Sequence, residues 1–157
     1  MKIKLIQIGK TDAAYLIEGI EKYNSRIKRY HPYELLTIPD IKNSKNLSQA
    51  QQKSLEAIQI LKNIQNPDIL VLLDEKGKEF NSITFAKFIE DTMLQSVKQL
   101  VFVIGGPYGF DASVYQRANR KIALSKMTFS HQLVRLIFAE QLYRANSIIK
   151  REPYHHE

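Results

Sequence analysis

The sequence predicts an α/β fold with a mostly parallel sheet and helices on both of its faces. The first indication is the segment Leu100–Ile104, five apolar residues in a row, which is typical of a strand buried on both sides. The second is the alternation of such runs with segments whose apolar residues recur at helical spacing. The third is the turn Gly-Gly-Pro-Tyr-Gly at 105–109, because a glycine-rich turn after a buried strand is where such sheets bind ligands.

Strands and helices are expected to alternate along the whole chain. Strands are predicted where apolar residues run together or alternate and a proline, glycine or aspartate follows. The predicted strands are residues 2–8, 33–38, 68–74, 100–104 and 121–124. Helices are predicted where apolar residues recur every three or four positions. The predicted helices cover about residues 11–30, 48–65, 82–97, 111–119 and 131–150.

Polar residues mark the expected helix starts. Thr11 or Asp12 is the expected N-cap of the first helix, Ser82 that of the third and Asp111 that of the fourth. The polar segment 75–80, which lies between a strand and a helix, is predicted to be a turn.

The last predicted helix carries a charged pair inside its apolar stripe. Glu140 and Arg144 are four residues apart, the spacing at which side chains on one face of a helix meet. The sequence therefore predicts an ion pair between them.

Composition narrows the class of protein. The 157 residues are enough for one domain with a core, and we expect a single domain over residues 1–157. The chain has no cysteine, which excludes disulfides, thiolate zinc sites and cysteine nucleophiles. Lysine and arginine total 23 against 16 acidic residues, a net charge of +7, and this excess favours a polyanionic partner such as nucleic acid.

The sequence also indicates where the protein works. No apolar run approaches the ~20 residues that a membrane span needs. The first nine residues are too short and too alternating for a signal peptide. We therefore expect a cytoplasmic protein without a membrane partner.

The turn at 105–109 admits two interpretations. It is not a P-loop, because no Gly-Lys-Ser/Thr follows, and it lacks the spacing of a dinucleotide fingerprint. A glycine pair is ordinarily a tight turn that needs positive φ. Alternatively, Gly105 leaves the backbone bare, so that a ligand can approach it closely.

A second unusual loop follows about twenty residues later. Residues 124–129 include three large apolar side chains, those of Leu124, Met127 and Phe129, although loops are usually polar. Their partner is either the protein's own core or a dimer mate, or else a flat apolar ligand such as an adenine ring. Composition alone does not separate these alternatives.

Several polar side chains are candidates for chemistry. Asp74 and Glu75, which follow a predicted strand, are either general acid and base residues or solvated carboxylates of a turn. His131 and Arg135 lie one helical turn apart at the start of the last helix. They are candidates for a phosphate or substrate contact, with an ordinary capping role as the alternative.

The tail, residues 151–157, has three interpretations. A tail of this length is usually frayed. His155 and His156 with Glu157 could form a weak metal site. Tyr154 and the two histidines are also suited to stacking on a nucleobase and hydrogen bonding to it.

Taken together, the motifs resemble the ribosomal large subunit methyltransferase H family of the SPOUT class. The resemblance runs from one end of the chain to the other and is most specific in the last third. Its segments are residues 1–10, the Phe-Val-Ile-Gly-Gly-Pro-x-Gly loop, the Leu-Ser-Lys-Met-Thr-Phe-Ser-His-Gln-Leu-Val-Arg segment, Glu-Gln-Leu-Tyr-Arg-Ala at 140–145, and the Pro-Tyr-His-x-Glu tail.

The resemblance implies properties that the patterns alone do not. The fold would be a SPOUT-type α/β knot, a trefoil in which the C-terminal segment threads through a preceding loop, and such knots are rare exceptions to the usual topology. The cofactor would be S-adenosyl-L-methionine, with no metal. The protein would be a homodimer that methylates N3 of the pseudouridine at position 1915 of 23S rRNA in assembled ribosomes.

Site residues are carried over from the family motif by motif. The implied cofactor-binding residues are Leu73, Gly105, Leu124, Ser125, Lys126, Met127, Thr128 and Phe129. The tail is implied to contact the substrate. The implied catalytic residues are undetermined, with His131, Arg135, Tyr154, His155 and His156 as candidates.

One position departs from the family pattern, and two other functions compete. Many relatives carry arginine where this chain has His156, which carries charge only when protonated. The first competing function is a basic module that binds RNA or the ribosome without catalysis. The second is a nucleotide hydrolase, which would need a carboxylate cluster for a metal or a lysine-bearing phosphate loop, and the sequence offers neither.

Overall fold

The computed structural model describes residues 1–156 and contains a five-stranded sheet in the order β2-β1-β4-β3-β5. The strands are β1 (Lys2–Ile8), β2 (Tyr33–Ile38), β3 (Ile69–Glu79), β4 (Gln99–Ile104) and β5 (Arg120–Ala123). Every pairing between neighbouring strands is parallel. The predicted parallel α/β sheet is therefore confirmed.

Four α-helices connect the strands and a fifth follows the last strand. They are α1 (Ala14–Ile27), α2 (Gln49–Leu61), α3 (Ser82–Leu94), α4 (Ala112–Arg117) and α5 (Leu133–Ile149). Side chains from α1, α3 and α5 share one hydrophobic core with the sheet, and side chains from α2 and α4 share another. Since successive side chains of a strand point to opposite faces, helices cover both faces of the sheet, as predicted.

Strand β4 shows how the sequence produces this arrangement. Leu100, Phe102 and Ile104 pack into the core beneath α1, α3 and α5, whereas Val101 and Val103 pack into the core beneath α2. Neighbouring strands β1 and β3 cover both edges of β4. The uninterrupted apolar run of this segment is therefore explained by burial on both faces.

Strand β3 is longer than the sequence predicts. Residues 75–80 do not form a turn, because β3 continues to Glu79. Its register on β5 shifts between Leu73 and Lys78, and both of these residues pair with Ile122. The two chain segments lie so close that a Cβ on Gly77 would be 2.5 Å from the backbone of Ile122. The sequence concealed this pairing because Lys-Gly-Lys-Glu has no apolar alternation.

The helix caps are partly as predicted. Asp111 caps α4 and accepts a hydrogen bond from Ser113 N–H, which confirms that prediction. The cap of α3 is Asn81 rather than Ser82, and its side chain accepts from Thr84 N–H at 2.8 Å. The cap of α1 is Ala13, which has no side-chain hydrogen bond, so neither Thr11 nor Asp12 serves.

The parallel pairing brings functional segments together. All carboxyl ends of the strands meet at one edge of the sheet, where ligands bind in folds of this kind. Within residues 1–156, no helix is long and apolar enough to cross a membrane. The knot stays a prediction of the family resemblance.

Candidate active site

A cleft of about 640 Å³ lies at the carboxyl edge of the sheet. Its walls are residues 73–76 in the middle of β3, the ends of β4 and β5, the glycine-rich turn 105–109, the loop 124–130 and the start of α5. These strands are neighbours in the order β4-β3-β5, so the loops that follow β4 and β5 lie on the two sides of the middle of β3. The volume is within the range of about 300–1,000 Å³ that is usual for small-molecule sites.

The cleft gathers nearly all of the residues predicted to bind the cofactor. Seven of the eight line it, namely Leu73, Gly105, Leu124, Ser125, Met127, Thr128 and Phe129. Lys126 belongs to the same loop, but its side chain does not line the cleft. Two loops separated by about twenty residues are therefore walls of one cavity, as the sequence predicts.

In the glycine-rich turn, close packing requires Gly105 and Gly106, whereas backbone conformation requires Gly109. Positive φ occurs at Gly109 but not at Gly105 or Gly106, so the tight-turn explanation holds only for Gly109. A Cβ on Gly105 would be 3.1 Å from the ring of Phe110. A Cβ on Gly106 would be 2.9 Å from a carboxylate oxygen of Glu56. Small residues are thus required where the turn packs against side chains behind it.

The loop 124–129 presents backbone groups to the cleft. Met127 N–H donates to Ser125 Oγ at 2.9 Å, and within residues 1–156 no other N–H of residues 125–129 has a protein partner. Leu124 packs against the main core, whereas Met127 is 76% exposed. Core packing therefore explains Leu124 in part and does not explain Met127. The free peptide groups can bind the edge of a nucleobase.

A carboxylate and a phenol meet across the cleft. Asp74 lies in the middle of β3, and its Oδ2 accepts a hydrogen bond from Tyr115 of α4. Partial burial and this bond raise the pKa of Tyr115 to about 12, because both disfavour the phenolate. Asp74 also accepts from Lys76 N–H at 2.8 Å. Asp74 therefore has fixed partners in the cleft wall, and no sequence pattern indicates Tyr115 as one of them because it lies far away along the chain.

His131 lines the cleft and Arg135 does not. Arg135 is 1% exposed, and its guanidinium donates to the Ile8 carbonyl at 2.5 Å and to Thr11 Oγ1 at 2.8 Å. Burial lowers the pKa of this guanidinium, and the nearby carboxylates of Asp40 and Asp12 oppose that effect. The observed role is to tie α5 to the end of β1. This differs from the predicted contact with phosphate or substrate.

The tail is docked rather than frayed as far as His155, whose Nδ1 lies 3.3 Å from Arg144 Nη1. Tyr154 Oη donates to Glu140 Oε1 at 3.0 Å, and the ring of Tyr154 lies 4.8 Å from the guanidinium carbon of Arg144. The predicted ion pair is confirmed, with Arg144 Nη2 2.6 Å from Glu140 Oε1. Burial and the bond with Tyr23 raise the pKa of Tyr154.

The described part of the tail does not line the cleft of its own chain. None of Tyr154, His155 and His156 lines the cleft, and Glu157 is outside the described residues. The cleft is at the start of α5, whereas the tail folds back along α5 and Tyr154 contacts Glu140, which lies about 10 Å along the helix from Leu133. Within residues 1–156 no group of three histidine, cysteine, aspartate or glutamate side chains could hold a metal ion.

Comparison with known proteins gives a consistent result. Residues 1–155 match the family described as "Predicted SPOUT methyltransferase". A ribosomal RNA large subunit methyltransferase H of Parabacteroides distasonis is 60% identical over all of both chains. Proteins of the same name from Christiangramia forsetii and Flavobacterium johnsoniae are 56% and 53% identical, and each alignment covers at least 99% of both chains. The chain therefore belongs to the SPOUT methyltransferases and, among them, to the ribosomal RNA large subunit methyltransferase H family.

Proposed function

We propose that this protein transfers a methyl group from S-adenosyl-L-methionine to N3 of a pseudouridine in 23S rRNA, at position 1915, in the assembled ribosome. The observation that carries the proposal is the cleft at the carboxyl edge, where seven residues implied by the family motifs form one cavity. The full-length similarity to proteins named ribosomal RNA large subunit methyltransferase H supports the same substrate class. The protein would act as a single domain in the cytoplasm.

The residues present fit the proposed cofactor. Gly105 and Gly106 have no Cβ, so their backbone is open to close approach by a ligand, and the free peptide groups of residues 125–129 can bind the edge of an adenine. Phe129 and Leu124 supply apolar surface for the flat face of the base. When bound, S-adenosyl-L-methionine supplies an electrophilic methyl group on its sulfonium. No covalent enzyme intermediate is needed for such a transfer.

The protein's own contribution is alignment and proton removal. The cleft walls exclude water and hold the reacting atoms in line, an effect worth about 7–11 kcal/mol in good intramolecular reactions. A group that accepts the N3 proton contributes about 10²–10⁴-fold more. Of the five candidate catalytic residues, His131 is the one that lines the cleft, so we propose it as the proton acceptor. The target base must be unstacked to enter.

We further propose that the active protein is a homodimer in which the tail of one chain serves the cleft of the other. The described residues of the tail do not line the cleft of their own chain, and a second copy of the chain would bring its tail to that cleft. An apolar surface near the cleft suits a second copy of the chain. Tyr15 on α1 is 71% exposed, and Leu133 on α5 is also exposed. The two helix starts are adjacent, since Asp12 N–H donates to Gln132 Oε1.

Methyl transfer to ribosomes tests the enzymatic proposal. Ribosomes from cells that lack this modification are incubated with purified protein and isotope-labelled S-adenosyl-L-methionine, and rRNA nucleosides are analysed by mass spectrometry. We expect labelled N3-methylpseudouridine with the wild-type protein and far less with His131→Gln. A wild-type protein that binds ribosomes but transfers no label would instead be a non-catalytic RNA-binding module.

Mixing two inactive variants tests the shared site. One chain lacks residues 152–157, and the other carries Gly105→Val in the turn of its cleft. If each cleft uses its partner's tail, mixed dimers contain one intact combination and recover part of the activity. Failure to recover activity, with mixed dimers verified by mass, would contradict the shared site.

A further inference from the structure

A second groove, of about 490 Å³, lies on the flank of the sheet where α3 faces β3 and β5. We call it the α3 groove. The proposed methyl transfer uses none of its residues. Its charged lining consists of Lys78, Lys87, Asp91 and Arg120. Three cations against one carboxylate make this groove a basic surface.

Two of the three cations have no acidic partner. Lys87 Nζ is 3.2 Å from Asp91 Oδ1, so that pair is locally neutral. Neither Lys78 nor Arg120 has a carboxylate within 4.0 Å anywhere in residues 1–156. The excess charge of the α3 groove is therefore carried by these two side chains.

Aromatic rings hold the two unpaired cations in place. Lys78 Nζ is 5.3 Å from the ring centroid of Phe80. The guanidinium carbon of Arg120 is 5.4 Å from the ring centroid of Phe88. A cation over a ring face is attracted to the ring without losing its charge. The N–H donors of both side chains thus remain available for an anion.

An uncharged donor completes the lining. Asn119 Oδ1 accepts from Leu70 N–H at 2.8 Å and from Arg117 at 3.2 Å. These bonds fix the orientation of the amide, and its NH₂ group has no partner within residues 1–156. Fixed donors beside two cations suit phosphate oxygens, which accept hydrogen bonds and carry negative charge.

The groove lies within reach of the cleft along the chain. Arg120 begins β5 and Leu124 follows it, so at most about 14 Å separates their α-carbons. Lys76 lines the cleft and Lys78 lines the groove, at most about 7 Å apart. The groove is therefore close enough to the cleft for one RNA strand to contact both.

We propose that the α3 groove binds the phosphodiester backbone of the RNA strand that flanks the target nucleotide, with Lys78 and Arg120 as the phosphate-binding side chains. This inference rests on the proposed function, since it takes the strand in the cleft to be RNA. Such contacts fix the register of the strand on the protein without reading its sequence.

A charge-matched pair of double variants tests the inference. The groove variant carries Lys78→Gln and Arg120→Gln. The control carries Lys45→Gln and Lys62→Gln, exposed lysines just before and just after α2 that do not line either cavity. Both variants lose two positive charges, so long-range attraction to RNA falls equally. Binding to an rRNA fragment that contains the target is measured from about 50 to about 200 mM salt.

We expect the groove variant to lose about 1.4 from the slope of log K against log salt, because each phosphate contact to a single strand contributes about 0.7. The control should keep most of the wild-type slope. In methyl transfer, the groove variant should raise KM for ribosomes and keep kcat, and both variants should bind the methyl donor like the wild type. Equal slopes for the two double variants would overturn the inference. A wild-type protein that binds the fragment with the expected slopes but transfers no methyl would refute the proposed reaction and leave the groove supported.

Discussion

The close pairing of β3 with β5 at Gly77 predicts a large cost for one added methyl group. In Gly77→Ala, the new Cβ would lie 2.5 Å from both the nitrogen and the carbonyl carbon of Ile122 and 2.7 Å from the nitrogen of Ala123. Ordinary contacts of a Cβ begin at about 3.4 Å, so two backbone segments must separate by about 1 Å. Overpacking of this kind costs about 1–3 kcal/mol, and we expect the upper end because backbone cannot rotate away.

The magnitude translates into a measurable shift in thermal stability. For a chain of this size, 1 kcal/mol corresponds to about 2–4 °C in Tm, so Gly77→Ala should lower Tm by about 6–12 °C. The matched control is Gly19→Ala on α1, whose Cβ would lie 2.8 Å from the end of the Leu136 side chain, which can move. Alanine also gains about 1 kcal/mol over glycine inside a helix.

The assay is thermal and urea denaturation of both variants beside the wild type. We expect Gly19→Ala to stay within about 1 kcal/mol of the wild type, because the two effects offset each other. If Gly77→Ala is as stable as Gly19→Ala, the folded protein does not have the close contact between Gly77 of β3 and the backbone of β5.

Two further predictions concern buried groups. Arg135→Met keeps the volume of the side chain but leaves the Ile8 carbonyl without its donor, so urea denaturation should show a loss of about 1–3 kcal/mol; unchanged stability with lost RNA binding would instead indicate a substrate contact. Burial lowers the pKa of His31 below 6.5, so the folded protein takes up this proton at lower pH than the unfolded chain does. This contribution to stability is therefore present above pH 6.5 and is lost as pH falls below it. His31→Gln should show a smaller stability loss than the wild type between about pH 7.5 and about pH 5.5, and equal losses would contradict the assignment.

Most of the fold was predicted from the spacing of apolar residues along the sequence. Leu100–Ile104 predicts a buried strand because both faces of β4 are covered, and the cores on its two sides confirm this. The extension of β3 escaped prediction because Gly77 and its polar neighbours pair through backbone groups, which leave no pattern in side chains. The N-cap of α3 was predicted one residue too late, at Ser82 instead of Asn81, because both residue types cap helices well.

The cleft was partly predictable and its surroundings were not. Gly105 and the apolar loop 124–129 are unusual in composition, but composition alone does not distinguish a ligand site from a tight turn or from packing against the core or a dimer mate. An arginine at position 135 could face RNA or the protein interior, and the sequence does not distinguish the two. The packing of the structure does, because Arg135 is buried. The docked tail depends on contacts between distant residues, such as Tyr30 with Glu152, which sequence spacing cannot reveal.

Calorimetric titration with S-adenosyl-L-methionine tests most directly whether the carboxyl-edge cleft binds the methyl donor. We predict a clear binding heat for the wild type and for Gly19→Ala. Gly105→Ala should bind more weakly, because its Cβ would lie 3.1 Å from the ring of Phe110, which lines the cleft and must shift. Absence of heat with the wild type would show that the methyl donor does not bind in this cleft, and equal affinity in Gly105→Ala would show that the Gly105 turn is not part of its site.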